Sequence, residues 1–183
     1  MADQPHQTII DQCRLNSAKA QMQLYNLYCQ AMFVIANRYV NDSFLAEDVM
    51  QEAFIKAFKN IKSYRNEVPF GAWLKKIVIN QSIDALKKKK LELISMNEET
   101  LRVVDDEDWK VDSTITVNDI KSAMEDIKEK YRLVLSLYLF EGYDHEEISQ
   151  ILGISSNTSR THLLRGKRIL KEKLKSTSYA ARY

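Results

Sequence analysis

Four glycines and two prolines in 183 residues leave this chain short of the positive-φ and pre-bent positions that tight hairpin turns consume. Leu, Lys, Glu, Gln and Ala are plentiful instead, and such residues lose little on entering a helix. The apolar residues recur at helical rather than alternating spacing, so an all-α fold is expected.

Residues 24–39 carry Leu24, Leu27, Tyr28, Ala31, Met32, Ile35 and Tyr39 at that spacing, and a second helical run covers 44–61. The link Val40-Asn41-Asp42-Ser43 supplies N-cap side chains. On the second helix Met50, Phe54, Phe58 and Ile61 form a core stripe, whereas Asp48, Gln51, Glu52 and Ile55 fall on a different, outward face. Periodicity stops over 62–69, and Pro69, best tolerated in a first turn, predicts a third long helix over 70–90. There Trp73, Ile77, Asn80 and Asp84 lie on one line that ends beside Lys87-Lys88-Lys89-Lys90, with Trp73 read as core.

Charge divides the chain more sharply than hydropathy does. Residues 1–90 hold 13 Lys+Arg against 8 Asp+Glu, residues 91–119 hold 2 against 9, and residues 120–183 hold 12 against 8. The stretch 91–118, with little helical period, reads as a flexible acidic linker containing a short helix over 98–103. The expected domains are therefore 1–90 and 119–183. Two basic helical blocks around an acidic segment suit two modules for a polyanion; a merely solvated linker fits the charge equally well.

In the second domain a helix is expected over 120–129. The run 131–140 follows, where Leu133, Val134, Leu135, Leu137, Tyr138, Leu139 and Phe140 predict burial on most sides. Glu141-Gly142 ends it, Asp144 and Glu147 form a capping box, and Ile148, Ile151 and Leu152 line the inner face of a short helix. Gly153 turns the chain, and Ser155 or Ser156 caps a last helix. That helix turns Leu163, Ile169 and Leu174 inward and Arg160, Arg165, Lys167, Arg168, Lys171 and Lys173 outward.

A short helix, a glycine turn and a longer basic helix have the spacing of a helix-turn-helix, whose second helix enters the major groove. Residues 155–183 hold 8 Lys+Arg and one acid, Glu172. Asn157, Thr158, Arg160, Thr161 and His162 in the early turns suit base edges. A solvated basic face remains the plainer reading of that charge. Upstream, Lys62-Ser63-Tyr64-Arg65 places an aromatic ring between two cations, a combination that suits stacked bases and phosphates of single-stranded DNA. A half-buried loop tyrosine is the plainer alternative there.

Other classes find little support. Cys13 and Cys29 have no His or Cys beside them, so neither a metal site nor a disulfide framework is expected, and a reducing cytoplasm fits. His6, His145 and His162 are scattered, with no Glu-x-x-His pattern and no glycine-rich phosphate loop. No enzyme activity and no cofactor are expected. The N-terminus lacks the basic start and apolar run of a signal peptide, and no membrane segment is expected. A stand-alone helix-turn-helix regulator is the main rival, and a protein-only adaptor leaves the basic helix unexplained.

The residues also carry a resemblance. Ala46-Glu47-Asp48-Val49-Met50-Gln51-Glu52-Ala53-Phe54 resembles the Asp-x-x-Gln-Glu helix of sigma region two. Phe70-Gly71-Ala72-Trp73-Leu74-Lys75-Lys76-Ile77, with Asn80 and Asp84, resembles the next helix of that family. Residues 141–170, from Glu141-Gly142-Tyr143 through Glu146-Glu147-Ile148 and Leu152-Gly153-Ile154 to Arg165, resemble sigma region four. Both halves match in order and spacing, and the chain is identified as a member of the extracytoplasmic-function (group IV) RNA polymerase sigma factors.

That resemblance implies a region 2-like helical bundle and a region 4-like helix-turn-helix. It implies that Asp48, Gln51, Glu52 and Ile55 meet bacterial core RNA polymerase. Lys62, Tyr64, Arg65, Lys76, Asn80, Asp84, Lys87 and Lys88 would then melt and hold the minus-ten element of promoter DNA. Asn157, Thr158, Arg160, Thr161, His162, Leu164, Arg165, Lys167 and Arg168 would meet the minus-thirty-five element. It further implies an anti-sigma factor as partner, and an acidic segment lying near the path of nascent RNA. We expect that segment also to screen the basic last helix through Asp105, Asp106, Glu107 and Asp108. The chain departs from the family pattern at Ile127-Lys128, where Leu-Pro is usual, at Asn157-Thr158-Ser159 for Gly-Thr-Val, at Thr161-His162 for Ser-Arg, and at Leu164. Asn tolerates unusual backbone angles, so the turn should survive, and the changes at Thr161-His162 and Leu164 bear on base preference rather than fold.

Overall fold

The structure, a computed structural model, describes residues 6–92 and 115–180, with side chains over 6–89 and 115–175. The chain divides between positions 94 and 95 into two compact units, and every regular element among the described residues is helical. The helix expected over 98–103 and the screening acids 105–108 lie outside the described residues. The flanking helices reach further than expected, to Glu92 on one side and from Val117 on the other.

The first unit comprises α1 (Gln7–Arg14), α2 (Ala18–Val40), α3 (Ser43–Lys59), a single 3-10 turn (Ile61–Ser63) and α4 (Phe70–Glu92). Helices α2, α3 and α4 pack against one another in all three pairings. Leu24, Met32, Ala36 and Tyr39 from α2 meet Ala46, Val49, Met50, Ala53, Phe54 and Ala57 from α3. Leu74, Val78, Ile79, Ile83 and Leu86 from α4 complete this core. The alanines let helix axes approach, and the large side chains fill the space between them.

The ends are made as the residue types dictate. Asn41 closes α2 at φ 53°, a left-handed angle that Asn tolerates. Asp42 caps α3, its carboxylate accepting from the Phe44 and Leu45 amides at 3.1 and 3.2 Å. The Pro69 carbonyl accepts from Trp73 N at 3.1 Å, so proline stands immediately before α4. Two differences from expectation concern the start: α2 begins at Ala18 rather than 24, and α1 was not anticipated. An eight-residue helix presents too few turns for a periodic signal, and α1 is held by burial of Ile10 and Cys13.

The second unit comprises α5 (Val117–Glu125), α6 (Glu129–Leu135), a wider π-type turn (Ser136–Phe140), α7 (His145–Leu152) and α8 (Ser156–Ala180). Helix α8 packs on α5, α6 and α7. Thr116 and Asp119 form a capping box, and bonds from Thr116 hold the Asp119 carboxyl below its ordinary pKa.

The helix expected over 120–129 is instead broken at Asp126-Ile127-Lys128. Ile127 is buried, and Lys128 takes φ −50° and ψ 135°, angles that a proline would also adopt. The buried Arg132 draws the break together, its Nη1 donating to the Glu125 and Ile127 carbonyls at 3.3 and 3.4 Å. Leu133, Val134, Leu135 and Leu137 are buried as expected, but Tyr138, Leu139 and Phe140 are 37, 44 and 46% exposed. The π-type turn carries an extra residue per turn, which rotates the following side chains off the core face.

Three local forecasts hold. Asp144 and Glu147 form the capping box, with Glu147 N donating to Asp144 Oδ1 at 2.8 Å and Asp144 N to Glu147 Oε2 at 2.9 Å. Gly153 sits at φ 70° after α7, where the αL angle favours glycine. Ser155, of the two serines considered, caps α8 by accepting from Thr158 N at 3.0 Å. On α8 Leu163, Leu170 and Leu174 face inward, and Ile169 is only half-buried, which corrects the expected inner stripe. Gly166 is pressed against Leu135: a Cβ there would lie 2.8 Å from both Cγ and Cδ1 of that leucine.

Candidate nucleic-acid and protein interfaces

Helical spacing puts Asp48, Gln51, Glu52 and Ile55 on one side of α3, and all four are exposed. Phe44, 84% exposed, extends this stripe at the N-terminal end, and Ile55 at 54% closes it at the other. Gln51 Nε2 donates to Glu47 Oε1 at 3.3 Å, and Gln81 Nε2 reaches across from α4 to Glu52 Oε2 at 2.6 Å. Sequence reasoning passed over both Phe44 and Gln81. Two exposed apolar side chains bracket an acidic and amide stripe that a basic partner surface would complement.

On α4, Lys76, Asn80, Asp84, Lys87 and Lys88 are exposed and recur at helical spacing, so they follow one another along one side of the helix. Trp73 and Ile77 are half-buried at the start of that side. The Trp73 ring lies 5.3 Å from the Tyr64 ring, which joins the helix to the loop before it. Lys62 and Arg65 of that loop are exposed.

Tyr64 requires a correction. Only 3% exposed, it packs its ring on Phe70 and Trp73, at 5.5 and 5.3 Å, and donates its hydroxyl to the Val68 carbonyl at 2.7 Å. Burial, with the neighbouring Tyr28 adding to it, pushes its phenol pKa up. The ring is spent on the core and does not face solvent, because a loop tyrosine next to Phe70 finds more apolar contact inside than outside.

In the second unit Asn157, Arg160 and Arg168 are exposed, while Thr158, Thr161, His162, Leu164, Arg165 and Lys167 are half-buried. Thr161 donates its hydroxyl to the Asn157 carbonyl at 3.0 Å. His162 sets its ring edge-on to Tyr131 at 5.3 Å, and Arg165 Nη1 donates to the Tyr131 hydroxyl at 3.4 Å. These two residues therefore lean towards α6 instead of standing clear of the helix.

The two helices of the helix-turn-helix are latched together through their first turns. His145 Nδ1 lies 2.9 Å from the Oγ of the fully buried Ser159, and the His145 ring stacks on Tyr138 at 5.1 Å. Glu146 Oε2 accepts from Ser156 Oγ at 3.1 Å, and its other oxygen lies 4.0 Å from Arg160. Burial, then the nearby Arg160 charge, lowers the His145 pKa.

Comparison with known proteins decides between the readings these surfaces allow. The Sigma-70 region 2 model matches residues 24–92, within the first unit, and the Sigma-70 region 4 model matches residues 118–170, within the second. The chain belongs to the sigma-70 family. This sigma factor is 28% identical to the ECF RNA polymerase sigma factor SigW of Bacillus subtilis, over 91% of its own length and 95% of the relative's. It is 29% identical to SigV of the same organism, covering 79% and 85%. Among solved structures it resembles the sigma factor RpoE of Bartonella quintana, determined with the anti-sigma factor NepR. That likeness has a TM-score of 0.52 and 21% identity, covering 84% and 96% of the two chains.

It is thus a sigma factor of the extracytoplasmic-function type, directing promoter-specific transcription. The stand-alone regulator is not favoured, since a duplex-binding helix-turn-helix needs no region 2 module. Among the described residues no helix is long and apolar enough to cross a membrane.

Proposed function

We propose that this sigma factor joins core RNA polymerase through the outward side of α3, with Asp48, Gln51, Glu52 and Ile55 in contact and Gln81 holding Glu52 in place. Domain 1–90 then opens and holds the minus-ten element. Lys62, Arg65, Lys76, Lys87 and Lys88 meet phosphates, while Asn80 and Asp84 address base edges. Opening a duplex costs about 1.4 kcal/mol per base-pair step in lost stacking, which contacts to the separated strand must offset. Residues 91–118 link this domain to domain 119–183, whose α8 enters the major groove at the minus-thirty-five element. Asn157, Arg160 and Thr161 read bases there, Lys167 and Arg168 meet phosphates, and Thr158, His162, Leu164 and Arg165 set the angle of the helix.

The protein is a specificity subunit that acts in the cytoplasm, and the chemistry belongs to polymerase. An anti-sigma factor covers its polymerase-facing surface until the factor is released. The observation that carries this reading is the pair of sigma regions, matched in order and one to each compact unit. Run-off transcription with bacterial core polymerase on a pool of genomic promoter fragments tests it. Discrete protein-dependent transcripts are expected, and Asp48→Arg with Glu52→Arg should abolish both transcripts and core binding. Duplex DNA bound by the free protein, with no transcripts and no core binding, would reject it.

A further inference from the structure

Helix α1 precedes the segment matched by the region 2 model, yet it is tied to the loop that offers Lys62 and Arg65. It packs on α2 and on the 3-10 turn Ile61–Ser63. From its last turn, Arg14 Nη2 donates to the Tyr64 carbonyl at 2.7 Å, and Arg14 Nη1 donates to Asp11 Oδ1, also at 2.7 Å. The same Asp11 oxygen accepts from Gln7 Nε2 at 2.9 Å. Asp11 thus orients one edge of the planar guanidinium and leaves the other for the loop.

Tyr64 is held from its other side as well. Its hydroxyl bonds to Val68 O, its ring packs on Phe70 and Trp73, and the Phe70 ring meets Tyr28 at 5.4 Å. Tyr28 returns to the start of α1, with the His6 ring edge-on at 6.1 Å. The backbone between Lys62 and Arg65 is therefore pinned at Tyr64 by a carbonyl, a hydroxyl and a ring, and only the carbonyl contact comes from α1.

We infer that α1 is a brace for the promoter-opening loop and that Arg14 is a positioning residue, holding Lys62 and Arg65 in place before DNA arrives. The inference rests on the sigma reading above and adds a role for a helix outside the matched region. A loop ordered in advance loses less conformational freedom when it captures an unpaired strand. Losing the brace should therefore slow promoter opening, while core binding through α3 and duplex recognition through α8 persist.

The test uses full-length protein, core polymerase and a promoter fragment that the wild type transcribes. The fragment is prepared fully paired and also with mismatches across the minus-ten element. Arg14→Gln should slow open-complex formation on the paired fragment by about tenfold, the factor that ~1.4 kcal/mol produces, with little change on the mismatched one. Arg14→Lys, which keeps one donor group, should lose less. Asp11→Asn should shift the rate the same way and carries the test if Arg14→Gln disturbs the fold, as reported by circular dichroism and core binding. Equal losses on both fragments, or no loss on either, would overturn the brace. Wild-type protein that yields no transcript from any fragment of the genomic pool would instead overturn the sigma reading, and the brace with it.

Discussion

Around α2, α3 and α4, helices of 23, 17 and 23 residues bury long faces against one another, with the Tyr28, Tyr64, Phe70 and Trp73 rings gathered at one end. Around α8 the partners are helices of 9, 7 and 8 residues, each too short to persist on its own in water. The first unit draws its order from buried apolar volume. The second depends on its ends: two capping boxes, an αL glycine, the Arg132 clasp on two carbonyls, the His145–Ser159 bond and the bare contact of Gly166 with Leu135. The same number of lost contacts should therefore act through different chemistry in the two units.

Loss of volume in the first unit should have the largest effect. Phe70→Ala removes the ring shared by Tyr28, Tyr64 and Trp73, and a cost of about 3–5 kcal/mol is expected in denaturant unfolding of the full chain. In the second unit the corresponding injury is added volume. Gly166→Val would drive atoms into Leu135, costing about 1–3 kcal/mol, and Leu135→Ala in the same chain should recover part of it. Absence of recovery would mean that the glycine serves something other than close packing.

Asp144→Ala removes one half of a capping box and should cost about 1 kcal/mol, read as faster amide exchange in α7 with the first unit unaffected. The smallest effect is pH dependence at His145. Its pKa in the folded chain is lowered by burial first and by Arg160 next, against the raising influence of Asp144 and Glu146. A lowered folded pKa means that the stabilising contribution is present above the unfolded value, about 6.5, and is lost as pH falls through the folded one. Acidification from pH 7 to 5 should loosen α7 and α8, and His145→Gln should flatten that dependence. A slope shared equally by the first unit would show that the histidine latch is not its source.

Much of the architecture was legible because the responsible signals are local. The spacing of Met50 and Phe54 marks a core face whatever lies opposite, and it leaves Asp48, Gln51, Glu52 and Ile55 outside. Asp144 with Glu147, and Gly153 after them, specify a start and a stop through bonds that span only a few residues. Arg14, Gln81 and Arg132 were missed for the converse reason: their partners are 50, 29 and 5 to 7 positions away, and the first two carry no local mark. Tyr64 could be read either way because an aromatic ring in a polar loop suits stacking on a base and burial against Phe70 alike, and the structure buries it.

Composition and periodicity by themselves determined an all-α fold, the polar side of α3 and the basic side of α8. Each of these follows from backbone propensity, side-chain spacing or net charge. Only the tertiary structure decided that Tyr64 turns inward, that a π-type turn exposes Tyr138, Leu139 and Phe140, that His162 and Arg165 lean on Tyr131, and that α1 reaches the loop carrying Lys62 and Arg65. Those outcomes depend on which surfaces distant helices bring within a few ångströms, and a one-dimensional pattern does not contain that distance.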